Sequence, residues 1–281
     1  VKPVPPGIDN WRQWYHAPDN TPVSADKLIK APYITQWMGR PFHVALPNVT
    51  TTAGGRIFFA MGHIANPARE EPWLNPLLAR NAYNGTHLWT RKLSENYMVH
   101  RSAFIATNDV FYLIDPDDGK GCLALNPETG EELQQIDPKE ISGEWKWIAM
   151  SHGVLYGLAG GQPDRVETTR IRTSMPHWDW NALSRGYYEK RVPWGFGATL
   201  FAYDLEADRL RWVHQEDTPV DSRGMAMGGG KVFFHAPDRR VGCLDDLTGK
   251  VLWANDDSHV LKLINQRGHG IPHGNPGFRS S

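Results

Sequence analysis

The sequence of 281 residues is poor in cysteine, with two thiols, and has no excess of charge of either sign. Lys and Arg total 30 against 31 Asp and Glu, so the net charge of −1 provides no basic field to attract nucleic acid or an anionic membrane. Long apolar runs are also missing, since none reaches the roughly 18 residues that a membrane-spanning helix needs. The sequence therefore predicts neither a nucleic-acid partner nor a membrane span.

The two cysteines, Cys122 and Cys243, each lie in a Gly-Cys-Leu triplet. Their matching surroundings favour two buried thiols over a disulfide bridge, and they leave the cellular compartment undecided. The chain begins at Val1, without the charged start and apolar core of a signal peptide. We expect either that a targeting segment was removed or that the chain is an excerpt.

Tryptophan, glycine and proline are abundant, with 12, 27 and 21 residues. Four segments of the sequence also share one eleven-residue register. The register reads small-x-Asn/Asp-x-x-x-Gly/Asp-x-x-x-Trp. Its copies span residues 79–89, 124–134, 202–212 and 243–253, and the second copy has Gln134 in place of the Trp. A repeat of this kind indicates an array of one supersecondary unit.

Each copy follows a β-branched and aromatic run that comes directly after a Gly, Asn or Asp turn, which is typical of a strand hairpin. These runs are residues 56–59, 110–113, 154–156 and 231–234. With one strand before the turn and one ending the register, each unit has four antiparallel strands, as does a β-propeller blade of about 40–50 residues. The sequence therefore predicts an all-β propeller with full blades over about residues 45–91, 98–137, 145–215 and 222–255.

Partial blades are expected at both ends of this single domain, residues 1–281. Residues 34–37 look like the last strand of a preceding blade, and residues 278–280 echo residues 100–102 at the start of an inner strand. This pattern is consistent with part of a seven- or eight-bladed propeller that a further segment or a partner chain completes. Residues 161–197 are predicted as an inserted loop or lid within the third blade, and residues 256–275, rich in Gly and Pro, as a loop.

The register resembles the tryptophan-docking repeat of the pyrroloquinoline-quinone (PQQ)-like propellers, Ala-x-Asp-x-x-Thr-Gly-x-x-x-Trp. The resemblance covers about residues 40–255, with departures at Gln134, Ala207 and Asp208. Residues 10–14 and 98–102 look like segments of large secreted bacterial PQQ-like proteins. That family includes quinoprotein alcohol dehydrogenases and a non-enzymatic lipoprotein of outer-membrane β-barrel assembly. The resemblance implies a periplasmic or secreted bacterial protein.

The resemblance does not imply a bound quinone. The dehydrogenases hold PQQ under a vicinal disulfide and beside calcium, whereas this chain has no Cys-Cys pair and no Cys-x-x-Cys-His haem attachment. PQQ with calcium is thus an alternative that this segment does not support. No metal site is predicted either, because Gly and Pro around His269 and His273 break the helical spacing of a ligand pair.

A second register predicts a ring of side chains near one mouth of the central channel. The residues nine positions before Ile57, Val110, Val154 and Val232 form this ring: Asn48, Arg101, Trp145 and Arg223. The echo at 278–280 adds Arg279, and three further residues flank the ring: His100, Lys146 and Ser222. Converging guanidinium groups suit a carboxylate, sulfate or phosphate. The alternative is that each arginine bonds carbonyl groups or an Asp between blades.

The 161–197 insertion contributes four lid candidates, Trp178, Trp180, Tyr187 and Trp194, whose rings could stack on sugars. Alternatively, these aromatics form a packed flap on the propeller.

Three functions follow, in this order: a binding scaffold for a protein, cell-wall component or acidic saccharide, a quinoprotein-type oxidoreductase, and a carbohydrate-active enzyme on acidic sugars. In the last, His100 or Tyr187 could act as general base and an arginine could neutralise a uronate, but no pair of groups has a diagnostic spacing.

Overall fold

The structure is a computed structural model that describes residues 5–29, 31, 37–38, 47–61, 76–93, 103–160, 195–237 and 239–264. Sixteen strands in this part of the chain form four sheets of four strands each. Blade A contains β1 (Pro47–Ala53), β2 (Arg56–Met61), β3 (Pro76–Asn81) and β4 (His87–Lys92). Blade B contains β5 (Phe104–Ala106), β6 (Phe111–Ile114), β7 (Cys122–Leu125) and β8 (Glu132–Ile136). Blade C contains β9 (Trp145–Ser151), β10 (Val154–Ala159), β11 (Phe196–Asp204) and β12 (Arg209–Asp221). Blade D contains β13 (Ala226–Gly228), β14 (Lys231–Ala236), β15 (Arg240–Asp245) and β16 (Val251–Asn255).

Within each blade the strands pair antiparallel and in chain order, so the first strand has a sheet partner on one side alone. The first strands also meet one another, because β1 contacts β5 and β5 contacts β9. Blades C and D meet through β12 and β14. This arrangement of four-stranded antiparallel sheets confirms the predicted fold class.

The small residue and the Trp of the register lie opposite each other on the two last strands of a blade. Ala79 pairs with Trp89, Ala202 with Trp212 and Cys243 with Trp253. A small side chain at this place leaves room for the indole beside it. The sheet pairing thus explains the ten-residue separation of the two positions.

The Asn or Asp of the register fixes the turn between those strands. In blade B, Oδ1 of Asn126 accepts hydrogen bonds from the amides of Glu128 and Thr129, at 2.8 and 3.2 Å. Asn81, Asp204 and Asp245 accept equivalent bonds in blades A, C and D. Such side-chain bonds close a turn locally, without help from distant residues.

The Trp of one unit packs on the turn glycine of the next. Trp89 donates from Nε1 to the carbonyl of Pro127 at 3.1 Å, and a Cβ placed on Gly130 would lie 2.7 Å from its ring. Gly130 has φ +76°, so both its backbone and this close approach require glycine. Trp37 on Gly85 and Trp212 on Gly249 repeat the contact, with Nε1 bonds to Ala82 and Asp246 at 2.8 Å.

The boundary between blades B and C lacks this contact, and two of the three departures from the PQQ-like repeat meet there instead. Gln134 stands in the Trp position and Asp208 in the Gly position, and Nε2 of Gln134 donates to Oδ1 of Asp208 at 2.9 Å. Tyr203 donates from its hydroxyl to the same oxygen at 2.6 Å. A residue with a Cβ leaves no room for an indole against its backbone. The polar pair of Gln134 and Asp208 therefore replaces the Trp-on-Gly contact at this boundary.

This exchange predicts the behaviour of a double-mutant cycle. Gln134→Trp alone should lower the free energy of unfolding by about 1–3 kcal/mol, because the indole meets the Asp208 side chain. Adding Asp208→Gly should recover most of that loss by restoring the Trp-on-Gly contact, as measured by urea denaturation of all four proteins. Strictly additive effects of the two changes would contradict this account of the boundary.

The apolar core lies between the blades. Phe58 of blade A stacks on Phe111 of blade B, with ring centroids 4.5 Å apart. One buried cluster joins blades A, B and C, and a second joins blades C and D. Cys122 and Cys243 are buried and free, as predicted, and burial raises the pKa of both thiols.

The structure differs from the sequence prediction in one described segment. Residues 256–275 are predicted as a loop, but Ser258–Ile264 form a helix, α1. Oδ1 of Asp257 accepts hydrogen bonds from the amides of His259 and Val260, at 2.9 and 3.0 Å, and this caps the first turn. The Gly and Pro residues that suggested a loop lie beyond the end of α1.

Candidate functional site

The start of β9 and the segment before β13 lie where the predicted insertion leaves and rejoins blade C. The amide of Gly160, at the end of β10, donates to the carbonyl of Glu144 at 2.9 Å. The amide of Ser222 donates to the carbonyl of Gly195, just before β11, at 2.8 Å. Both stems of the insertion are therefore attached beside the predicted ring residues Trp145, Lys146, Ser222 and Arg223. We refer to this region as the insertion end.

Lys146 is fully buried at the insertion end, with 0% of its side chain exposed. Its Nζ lies 3.1 Å from Oε2 of Glu144, two residues earlier. Residues two apart on an extended strand point to the same side, which is how the pair forms within one strand segment. The carboxylate neutralises the ammonium that would otherwise be a charge in a low-dielectric site.

Arg223 is paired in the same way. Its Nε lies 2.8 Å from Oδ1 of Asp221, and its second nitrogen bonds Oδ2, so the guanidinium grips the carboxylate with two nitrogens. Both side chains are buried. Asp221 also accepts the amide of Arg223 at 2.9 Å and begins a short 3-10 turn over Ser222–Gly224.

The remaining ring candidates are placed as follows. Trp145 lies in the core, with its ring centroid 4.6 Å from that of Phe201 in blade C. Asn48 lies within β1, and its side chain is outside the described part of the chain. The other candidates, in the ring and in the lid, lie outside the described residues: His100, Arg101, Arg279, Trp178, Trp180, Tyr187 and Trp194.

Sequence reasoning singled out the two cations but missed their carboxylate partners. Both pairs share one signal, an acid two residues before a base, as in Glu144-Trp145-Lys146 and Asp221-Ser222-Arg223. On an extended segment this spacing places both side chains on one face, as for Glu144 and Lys146. Asp221 and Arg223 have the same spacing but pair across the start of the 3-10 turn. The signal is available in the sequence, and it favours the alternative in which each arginine bonds a nearby Asp.

The outer face of blade D differs from that of the other blades. Trp253 is 45% exposed, whereas Trp89 and Trp212 at the same register position are 7% and 8% exposed. Its ring still contacts Phe233 of its own blade at a centroid distance of 6.4 Å, as Trp89 contacts Phe58. Leu247 in the preceding turn and Val251 and Leu252 on the same strand are also exposed, Leu247 by 65%. We call these four residues the blade D face.

Within the described ranges, no cluster of three or more His, Cys, Asp or Glu side chains could hold a metal ion. None of the described helices is a candidate for a membrane span.

No protein-family model matches the sequence, and no curated protein matches it. Among solved structures, BamB from Moraxella catarrhalis aligns at 12% identity and TM-score 0.43, over 73% of this chain and 47% of BamB. The quinohemoprotein alcohol dehydrogenase ADHIIG from Pseudomonas putida HK5 aligns at 14% identity and TM-score 0.43, over 72% of this chain and 39% of that one. The computationally designed Ika4 protein aligns at 12% identity and TM-score 0.45, over 76% of this chain and 99% of its own. The chain thus spans less than half the length of BamB and of the dehydrogenase, and these likenesses concern the fold alone.

Proposed function

We propose that this chain is a propeller-type binding scaffold that engages a protein element on the blade D face. The exposure of Trp253, against the burial of Trp89 and Trp212, is the observation that carries this proposal. An exposed Trp with further exposed apolar residues close to it in the sequence is a typical anchor of a protein interface. The resemblance of the sequence to secreted bacterial PQQ-like proteins supports a location outside the cytoplasm.

The chemistry of the blade D face indicates what kind of element binds. In three places an indole of this chain packs on a glycine turn and donates to the carbonyl three residues before that glycine: Gly85, Gly130 and Gly249. Trp253 has the same position in its blade as two of those indoles. We therefore expect its partner to be an Asn/Asp-x-x-x-Gly turn of another four-stranded blade.

A second copy of the described blades does not offer such a turn. Gly85, Gly130 and Gly249 already have an indole against them, and the fourth turn carries Asp208, which pairs with Gln134. The partner of the blade D face is therefore a blade other than the four described here.

An acidic saccharide at the insertion end is the less favoured reading. Lys146 and Arg223, the two described cations of the predicted ring, each have a carboxylate within ion-pair distance. An anionic ligand would have to compete with Glu144 and Asp221 for them, at a cost in buried charge. The ion pairs thus weigh against anion binding by these two residues.

The proposal is tested by photocross-linking of the intact protein in its native host. Incorporating p-benzoylphenylalanine at Leu247 should give a cross-link to a peptide that mass spectrometry identifies as containing an Asn/Asp-x-x-x-Gly turn. Trp253→Ala should reduce the yield by about thirtyfold or more, since central aromatic anchors contribute about 2 kcal/mol or more.

The matched control places the same cross-linker at Leu133, which is also exposed, on the outer strand of blade B. That variant should not capture the turn peptide. Absence of a cross-link from position 247, capture of a peptide without the turn, or an equal yield after Trp253→Ala would each overturn the proposal.

A further inference from the structure

The N-terminal segment makes contacts that the repeat does not predict. Residues 11–20 lie against the first strands of the blades rather than in a blade of their own. The amide of Thr52 in β1 donates to the carbonyl of Trp11 at 2.7 Å, and the amide of Ala106 in β5 donates to that of Arg12 at 2.9 Å. The amide of Met227 in β13 donates to the carbonyl of Pro18 at 2.7 Å.

These three donors have equivalent places in their blades. Thr52 and Met227 each lie one residue before the end of their strand, and Ala106 is the last residue of β5. All three belong to first strands, whose second edge has no strand partner in its sheet. An unsatisfied edge amide is costly when it is buried, so the segment supplies acceptors that the sheets lack.

Side chains strengthen the attachment at both ends of the segment. Trp11 donates its amide to Oγ1 of Thr52 at 2.9 Å, and Asn20 donates from Nδ2 to the carbonyl of Met225 at 2.7 Å. Between them, Trp14 packs against the core cluster of blades A, B and C, and Gln13 is buried. Gln13 and Trp14 of this part of the segment line a small open pocket together with Trp147 and Ile148 of blade C.

We infer that residues 11–20 form a strap, which ties blades A, B and D together across their first strands. Ring closure of a propeller normally holds its first and last blades in place. Here the strap links blade A to blade D directly, through Trp11 at one end and Asn20 at the other.

Asp9 holds the strap in its bent course. Its Oδ2 accepts hydrogen bonds from the amide of Ala25 at 2.7 Å and from Ser24 at 3.2 Å, and lies 2.6 Å from Nε2 of His16. Partial burial raises the pKa of the Asp9 carboxyl, but these hydrogen bonds outweigh it and leave the pKa below its ordinary value. Asp9 thus joins the residues before, within and after the bend.

Hydrogen exchange of single amides in the intact protein tests the strap. In the unaltered chain, the amides of Thr52, Ala106 and Met227 should be protected as well as those inside the sheets. Asp9→Ala should speed their exchange about tenfold. The amides of Leu113 and Ile114 in β6, a strand that pairs with β5 and β7 within blade B, should keep their rates. This separates release of the strap from general unfolding.

Asp19→Ala is the matched control, because Asp19 lies on the strap but is exposed and accepts a bond from the amide of Thr21. It should leave all five amides unchanged. Rapid exchange of Thr52, Ala106 and Met227 in the unaltered chain would overturn the inference without any variant. So would equal acceleration of the β6 amides by Asp9→Ala.

Discussion

Trp89→Ala should lower the free energy of unfolding by about 3–5 kcal/mol, the range for truncating a buried Trp. Trp89 is 7% exposed and contacts rings on both sides of a blade boundary, Phe58 at 6.0 Å and Phe111 at 6.3 Å between centroids. The substitution also removes the hydrogen bond to Pro127 and leaves the space above Gly130 empty. Urea denaturation followed by circular dichroism measures the change.

Trp253→Ala provides the matched control, since Trp253 has the same register position but is 45% exposed. In the chain without a partner it should cost less than about 1 kcal/mol, because little buried area is lost. Similar losses in the free energy of unfolding for the two variants would mean that each indole stabilises its own blade. The Trp-on-Gly contact would then contribute little to the assembly of blades.

Asp221→Asn should destabilise the protein by about 3–5 kcal/mol, because it removes the carboxylate from a buried ion pair and leaves the Arg223 charge. Asn can still accept the amide bond at the start of the 3-10 turn, so the variant isolates the loss of charge from the loss of the cap. The same denaturation experiment measures this effect.

Asp137→Asn is the control for this second prediction, because Asp137 pairs with the exposed Lys139. Exposed ion pairs contribute about 0–1 kcal/mol, so its effect should be small. Asp221→Asn could instead lower the free energy of unfolding as little as this control does and also create affinity for sulfate at Arg223. In that case the Asp221 carboxylate would occupy an anion-binding site from which a ligand can displace it. That outcome would favour the saccharide alternative over the scaffold.

Much of the fold could be predicted from the sequence, because the signals that define a blade are short-range. The turn bonds of Asn126 span two and three residues, and the pairing of Ala79 with Trp89 follows from one hairpin. The prediction of a loop over residues 256–275 was less accurate, because Gly and Pro at 268–276 outweighed the cap that Asp257 provides for α1. Capping depends on one side chain, and a composition-based reading does not detect it.

The candidate site was harder to predict. The sequence drew attention to Lys146 and Arg223, but the charge state of such a site depends on which groups lie next to it. Glu144 and Asp221 turn two potential anion ligands into internal ion pairs. The sequence did not predict the solvent exposure of Trp253 either, since the register assigns it the same environment as Trp89.

The sequence by itself determined the repeating unit, its strand order and the turns, since hydrogen bonds and side-chain alternation within about ten residues are sufficient for them. The tertiary structure alone decided how the units meet. Gln134 and Asp208 bond across 74 residues, and Asn20 and Met225 across 205. No local preference links such distant positions, because their contact depends on the packing of whole blades around an axis. For the same reason, the strap on the first strands and the uncovered indole of blade D become visible once the blades are assembled.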